Sequence, residues 1–234
     1  MNKIPSLNLE DFVLGDLVQR QEFVVDLGRA FEEIGFVAIS GHYLNKALID
    51  ELYEQIKAFF DLPHEIKKKY EIEGLGGQRG YTSFGKEHAK GKKEADLKEF
   101  WHFGQYAEVP DILNSHYPPN VIVEELPAFN EVGKKVFKAL EETAMALLRA
   151  ISLHLGLEEH YFDEFVATGN SILRPIHYPP IQQAPKKAER AAAHGDINLI
   201  TLLMGADGKG LQVLNRKGDW IDAIAGRNEL MVNV

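Results

Sequence analysis

Residue 171 divides this chain of 234 residues into two rhythms, and that division constrains the fold more than any composition figure. Before it, apolar residues recur mainly at helical spacing. After it come short β-prone runs at 171–177, 199–204, 211–214, 220–224 and 230–234, separated by Gly, Asp, Asn or Pro. Helices followed by many short strands predict an α+β molecule, a β-sandwich or jelly roll with helices packed on its outside. A closed jelly roll uses about eight strands. The candidate strands here are fewer, and the last residues, Asn228 to Val234, are apolar and read as mid-strand, so the chain reads as cut short.

In the first part, Phe23, Leu27, Ala30, Phe31 and Ile34 define a helix, with Gly35 where a C-terminal cap belongs. Residues 36–40 read as a buried strand. Asn45 can cap a second helix presenting Leu48, Leu52, Ile56 and Phe59 on one face, and Pro63 suits the first turn of a short third helix. Residues 73–93 are rich in glycine and charge, lack a period, and predict a long loop of the kind that serves as a lid or binding segment. Their Gly74-Leu-Gly-Gly-Gln-Arg-Gly80 is not a dinucleotide fingerprint, because Arg79 stands where the third glycine of G-x-G-x-x-G is required. Residues 99–103 resemble a strand. Pro127 opens a long helix carrying Val132, Val136, Leu140, Leu147 and Ile151 and ending near Gly156, and a short helix is expected around 158–166. The expected organisation is a helical N-terminal region over 1–120, followed over 121–234 by a long support helix and the first part of a β-rich core.

A formal charge of −9 excludes the basic face of a nucleic-acid binder. The basic runs at 67–69 and 86–93 adjoin or interleave acidic residues and read as solvated surface. With no cysteine there is no disulfide framework, thiolate nucleophile or Cys-type zinc site. No apolar run approaches the roughly 18 residues of a membrane span, and the first ten residues lack a signal-peptide core. A cytoplasmic protein is expected, without nucleic-acid or membrane partners; the oligomeric state is unreadable. G-x-S-x-G and H-E-x-x-H are both absent, and the adjacent carboxylates Glu32-Glu33, Glu124-Glu125 and Glu158-Glu159 diverge on helices.

His194-Gly195-Asp196 carries the chemical signal. On a strand, His194 and Asp196 would face the same side and could converge on one cation, two thirds of a 2-His-1-carboxylate cage for non-haem Fe(II). The competing reading is a surface histidine beside a turn aspartate. Gly195 between them leaves room for a ligand to approach the backbone.

His194-Gly-Asp196 with Leu199-Ile-Thr-Leu-Leu203, Gly210-Leu-Gln-Val213, Gly218-Asp-Trp220 and the segment 228–234 resembles the isopenicillin N synthase-like family of 2-oxoglutarate/Fe(II)-dependent dioxygenases. Upstream, the segment 30–42, Phe59-Phe-Asp-Leu-Pro63, Gly80-Tyr81, Asp96-Leu-Lys-Glu-Phe-Trp101 and Leu173-Arg-Pro-Ile-His-Tyr-Pro-Pro180 continue the likeness in colinear order. The resemblance implies a double-stranded β-helix, or jelly roll, with N-terminal helices around it and its C-terminal strands missing from this sequence. It implies His194 and Asp196 as iron ligands and Tyr178 as a contact to the distal carboxylate of 2-oxoglutarate. Where many members carry an asparagine two positions before that tyrosine, this chain has Ile176, which cannot form the hydrogen bond. The family's second histidine ligand and its Arg-x-Ser pair lie beyond Val234. Among the other histidines, His177 alternates with Tyr178; His154 reads as packing or capping; and His42, His88, His102, His116 and His160 read as surface polar residues, His102 standing slightly ahead as a replacement because it lies with Trp101 and Phe103 at a substrate mouth.

The implied reaction couples decarboxylation of 2-oxoglutarate, with O₂, to oxidation of a small organic substrate by hydroxylation, desaturation or ring closure. Leu199, Leu211 and Val213 would wall the pocket, and Arg79, Tyr81, Phe84, Trp101 and His102 would contact substrate. Two rival readings remain: an oxidase of the same fold not using 2-oxoglutarate, for which ascorbate is a candidate co-reductant, and an inactive jelly-roll binding protein.

Overall fold

The computed structural model describes residues 3–87, 96–106, 117–167, 169–180, 193–204, 210–226 and 228–234. The chain forms two compact units that draw on both halves of the sequence: residues 1–46, 139–166 and 196–234 make the first, and residues 47–138 and 167–195 the second. Both mix helix and sheet.

In the first unit, Asn8 caps the short helix α1 (Leu9–Val13), and Asp16 caps α2 (Leu17–Glu33). The Asp16 carboxylate accepts from the amides of Val18 and Gln19 while the Gln19 side chain returns to the Asp16 amide, a complete capping box. α2 buries Phe23, Val24, Leu27 and Ala30 and ends as expected, with Gly35 at φ +76. The chain then enters β2 (Phe36–Ser40), which pairs in parallel with β1 (Ser6–Asn8) and antiparallel with β10 (Leu230–Asn233). β10 pairs in turn with β7 (Thr201–Met204), giving the order β1-β2-β10-β7. A separate hairpin joins β8 (Gln212–Leu214) to β9 (Trp220–Asp222). Its turn is organised by Asn215, whose side-chain oxygen accepts from the amides of Lys217 and Asp219. Ile4, Ile34, Ala38, Val213 and Met231 form a core beneath these strands.

The second unit is built on aromatics. α3 (Lys46–Phe60) delivers Phe59 and Phe60, and α4 (His64–Lys68) follows, with Pro63 at the capping position rather than inside the first turn. At the centre of the sheet, β4 (Glu99–Gly104) pairs antiparallel with β3 (Gly80–Thr82) on one side and with β5 (Ile172–Leu173) and β6 (Ile176–His177) on the other. Phe59, Phe60, Tyr70, Tyr81, Trp101, Phe103, Val123 and Phe129 pack as one cluster. Phe59 lies at its centre, stacked on Phe129 at 4.9 Å and edge-on to Trp101 at 4.9 Å. α5 (Pro127–His154), whose residues from Ala139 onward belong to the first unit, runs as expected and buries Val132, Val136 and Leu147; the short α6 (Asp163–Ala167) follows.

Three local expectations are corrected. β3 lies inside the segment read as loop: Gly80 adopts φ +75 with its α-carbon against the Tyr70 carbonyl, where a Cβ would fall 2.4 Å from that oxygen, and the next residue inserts its ring into the core. Residues 88–93 of the expected loop lie outside the described residues. The run 171–177 is two strands, not one, because Pro175 has no amide hydrogen; its carbonyl instead accepts from the Trp101 amide at 3.0 Å. Residues 193–200, which include His194 and Asp196, form no strand.

Candidate functional site

The segment 193–197 is exposed, and the Asp196 carboxylate within it is tied to the sheet. Thr201 and Asn233 are facing residues at the β7–β10 pairing. The Thr201 hydroxyl donates to Asp196 Oδ2 at 2.8 Å, and the Asn233 amide donates to the same oxygen at 2.9 Å. Asn198 donates to the Thr201 hydroxyl at 2.8 Å, which directs the Thr201 proton toward Asp196. One end of the sheet therefore orients this carboxylate, the task that outer partners perform for metal-binding acids. Asn198, Thr201 and Asn233 were not among the residues singled out from sequence. The signal that could have found them is the polar spacing Asp196-x-Asn198-x-x-Thr201 at a strand entrance.

His194 belongs to the second unit and Asp196 to the first. Imidazole nitrogen and carboxylate oxygen are donors that suit Fe(II). Among the described residues, however, no group of three or more His, Cys, Asp or Glu side chains could hold a metal ion. The donor types fit iron; the described donor set does not complete a cage.

Five of the other histidines, His42, His102, His154, His160 and His177, are engaged elsewhere, which explains part of this result. His102 Nδ1 lies 2.5 Å from the Gly77 carbonyl and Nε2 accepts from Arg174 Nε at 2.5 Å, so its hydrogen bonds require the neutral ring with the proton on Nδ1. Burial and the Arg174 charge push its pKa down to about 4. With both nitrogens committed and the ring 4% exposed, His102 is a buried structural histidine rather than the surface polar residue expected. His154 pairs with Glu32 and rests against Gly28, and His160 pairs with Asp163. Burial lowers the pKa of His42, whose Nδ1 accepts from the Leu44 amide. His88 and His116 lie outside the described residues.

His177 belongs to a buried ionic network. Glu99 receives Lys67 Nζ at 3.1 and 2.9 Å on its two oxygens, His177 Nδ1 at 2.8 Å, and the Tyr81 hydroxyl. Burial would raise the Glu99 pKa, but the bonds from Tyr81, His177 and Lys67 outweigh it and hold the carboxyl below its usual range. Burial and the same carboxylate push the Tyr81 phenol up.

The expected pocket residues are dispersed by burial. Tyr81 and Trp101 are 1% and 0% exposed inside the aromatic cluster, and Val213 lies in the first unit's core. Arg79 is also buried, donating to the Asn170 side chain and the Gln78 carbonyl at 2.7 Å each, with its guanidinium against Gly104. Phe84, Leu199 and Leu211 are exposed. Tyr178 is half-buried just after β6, where Ile176 faces Phe100 in the ladder.

Residues 4–125, more than half the chain, match the model of the non-haem dioxygenase N-terminal region, described for morphine synthesis. The chain belongs to the 2-oxoglutarate/Fe(II) dioxygenase family. A homoarginine-6-hydroxylase from Arabidopsis thaliana is 29% identical over 96% of this chain, and a 2-oxoglutarate-dependent dioxygenase from Dothideomycetidae sp. is 31% identical over 90%. The chain spans 63% and 65% of these two relatives. Among solved structures, a 2OG-Fe(II) oxygenase family protein from Caulobacter crescentus is 39% identical with a TM-score of 0.86, covering 100% of this chain and 74% of that one. A Neurospora crassa protein solved with α-KG and thymine is 26% identical with a TM-score of 0.85, covering 99% and 73%. Among the described residues, no helix is long and apolar enough to cross a membrane.

Proposed function

We propose that the whole protein couples oxidative decarboxylation of 2-oxoglutarate to oxidation of a small organic substrate, with O₂ as oxidant. The observation that carries this reading is the orientation of Asp196 by Thr201 and Asn233, in a chain of this family. His194 and Asp196 are the two iron ligands this chain supplies, Tyr178 contacts the cosubstrate, and the sheets are part of a jelly roll. When bound, iron supplies redox and Lewis-acid chemistry that side chains lack. The chain's own residues do the rest: Thr201 and Asn233 keep the Asp196 carboxylate aimed, and the aromatic core holds β4 and β6 rigid behind Tyr178. Of the pocket candidates, Phe84, Leu199 and Leu211 are exposed and are the ones proposed to meet substrate, while Arg79, Tyr81, Trp101, His102 and Val213 are buried, each within its own unit.

Asp196→Ala, made in the protein expressed from its full coding sequence, is expected to abolish Fe(II)-dependent succinate formation with the circular dichroism spectrum intact. Full succinate formation by that variant would remove Asp196 from the ligand set. Ile176 favours a second reading, an oxidase that dispenses with 2-oxoglutarate, since its side chain offers the cosubstrate no hydrogen bond. Fe(II)-dependent O₂ uptake with ascorbate and no succinate would select that reading.

A further inference from the structure

The Glu99 network has more donors than a structural ion pair needs. A buried lysine and carboxylate satisfy each other's charge, and replacing such a pair with apolar residues is often neutral for stability. Here the pair is extended to a third element. Glu99 and His177 are register partners across the β4–β6 ladder, and their side chains are joined as well, at 2.8 Å. The His177 ring is further clamped on Phe60, at 5.0 Å between centroids and 28° between planes. β6 is only two residues long and follows Pro175, so backbone pairing alone gives it a weak hold. Lys67 fixes the other side of Glu99 by also donating to the Phe60 carbonyl at 2.9 Å. Three groups, from α4, β3 and β6, thus converge on one carboxylate, with Phe60 of α3 bracing two of them, and His177 immediately precedes Tyr178.

We propose that Glu99 is a positioning residue: through His177 it fixes the end of β6 so that Tyr178 is presented to 2-oxoglutarate. The proposal rests on Tyr178 being the cosubstrate contact. Tyr178 is the first residue after β6, so a ring held against Glu99 and Phe60 at His177 fixes the backbone from which the next side chain leaves. The pin also answers the loss of a polar side chain at Ile176. With one hydrogen-bonding side chain fewer to hold the cosubstrate, the remaining contact gains from being held rigid.

The test compares four variants of the protein expressed from its full coding sequence. His177→Phe keeps the stack on Phe60 and the Lys67–Glu99–Tyr81 cluster but removes the link to β6. Glu99→Gln weakens the whole cluster. Both are expected to raise the KM for 2-oxoglutarate about tenfold, the lower end for loss of an outer partner, with kcat changed less than about twofold. The calorimetric Kd for 2-oxoglutarate, measured with Fe(II) under nitrogen, should rise in parallel, and amide exchange at Ile176–His177 should quicken. His177→Asn, which restores a donor, is expected to recover part of the affinity. Tyr178→Phe is the control. If Tyr178→Phe weakens 2-oxoglutarate binding while His177→Phe leaves it unchanged, the positioning role is overturned and the cosubstrate contact stands. If Tyr178→Phe changes nothing, the contact itself is wrong and the positioning role falls with it.

Discussion

His102 shows what a single residue's surroundings can decide. Its sequence neighbours, Trp101 and Phe103, suggested a pocket mouth, and an imidazole there could have been a ligand. The structure instead binds both ring nitrogens, one to a carbonyl and one to a guanidinium, in a setting that disfavours protonation. A histidine with its folded pKa near 4 against an ordinary 6.5 stabilises the fold fully above pH 6.5, where both states are neutral. As pH falls below 6.5 the unfolded chain takes up a proton that the folded chain refuses, so stability is lost progressively down to about pH 4. The loss is on the order of 3 kcal/mol. Urea denaturation between pH 7 and 4 should therefore show a steep acid limb, and His102→Gln should flatten it. An unchanged limb in that variant would mean that His102 is not held neutral. None of this was legible from the sequence, because the partners, Gly77 and Arg174, are 25 and 72 positions away.

At the scale of elements, α2, β2, α3 and α5 were readable because each carries its own period and its own stop signal. Gly35 and Gly156, both at positive φ, mark helix ends in sequence as in structure. β3 and the split of 171–177 were not, because a three-residue strand has no period to detect and its existence depends on β4 across the ladder. The Asp196 anchor was missed for the same reason: Asn233 is 37 residues away and reaches it only through the β7–β10 pairing. Close packing of elements makes a further prediction. Gly133 lies in α5 where an added Cβ would fall 2.4 Å from the ring of Phe103, itself 1% exposed and unable to swing aside. Helix propensity alone would make Gly133→Ala stabilising by about 1 kcal/mol. Overpacking costs typically about 1–3 kcal/mol and should win, leaving the variant less stable by about 1 kcal/mol. Thermal denaturation gives the sign directly: a raised Tm would show that α5 does not press on β4 as closely as described.

On the scale of the whole molecule, family membership and the local chemistry carry different weights. The family match covers residues 4–125, whereas His194 and Asp196 lie well outside that span. What supports the ligand reading is the sheet that holds Asp196, together with solved relatives that cover 99–100% of this chain. The relatives extend further: this chain spans 63% to 65% of two of them, so catalysis is a property to be tested on the protein expressed from its full coding sequence. The most direct measurement is succinate released from 2-oxoglutarate under air, with and without added Fe(II). The account predicts succinate that requires both iron and oxygen and disappears in Asp196→Ala. Succinate at the no-iron background, from a folded protein supplied with Fe(II), 2-oxoglutarate and oxygen, would contradict it.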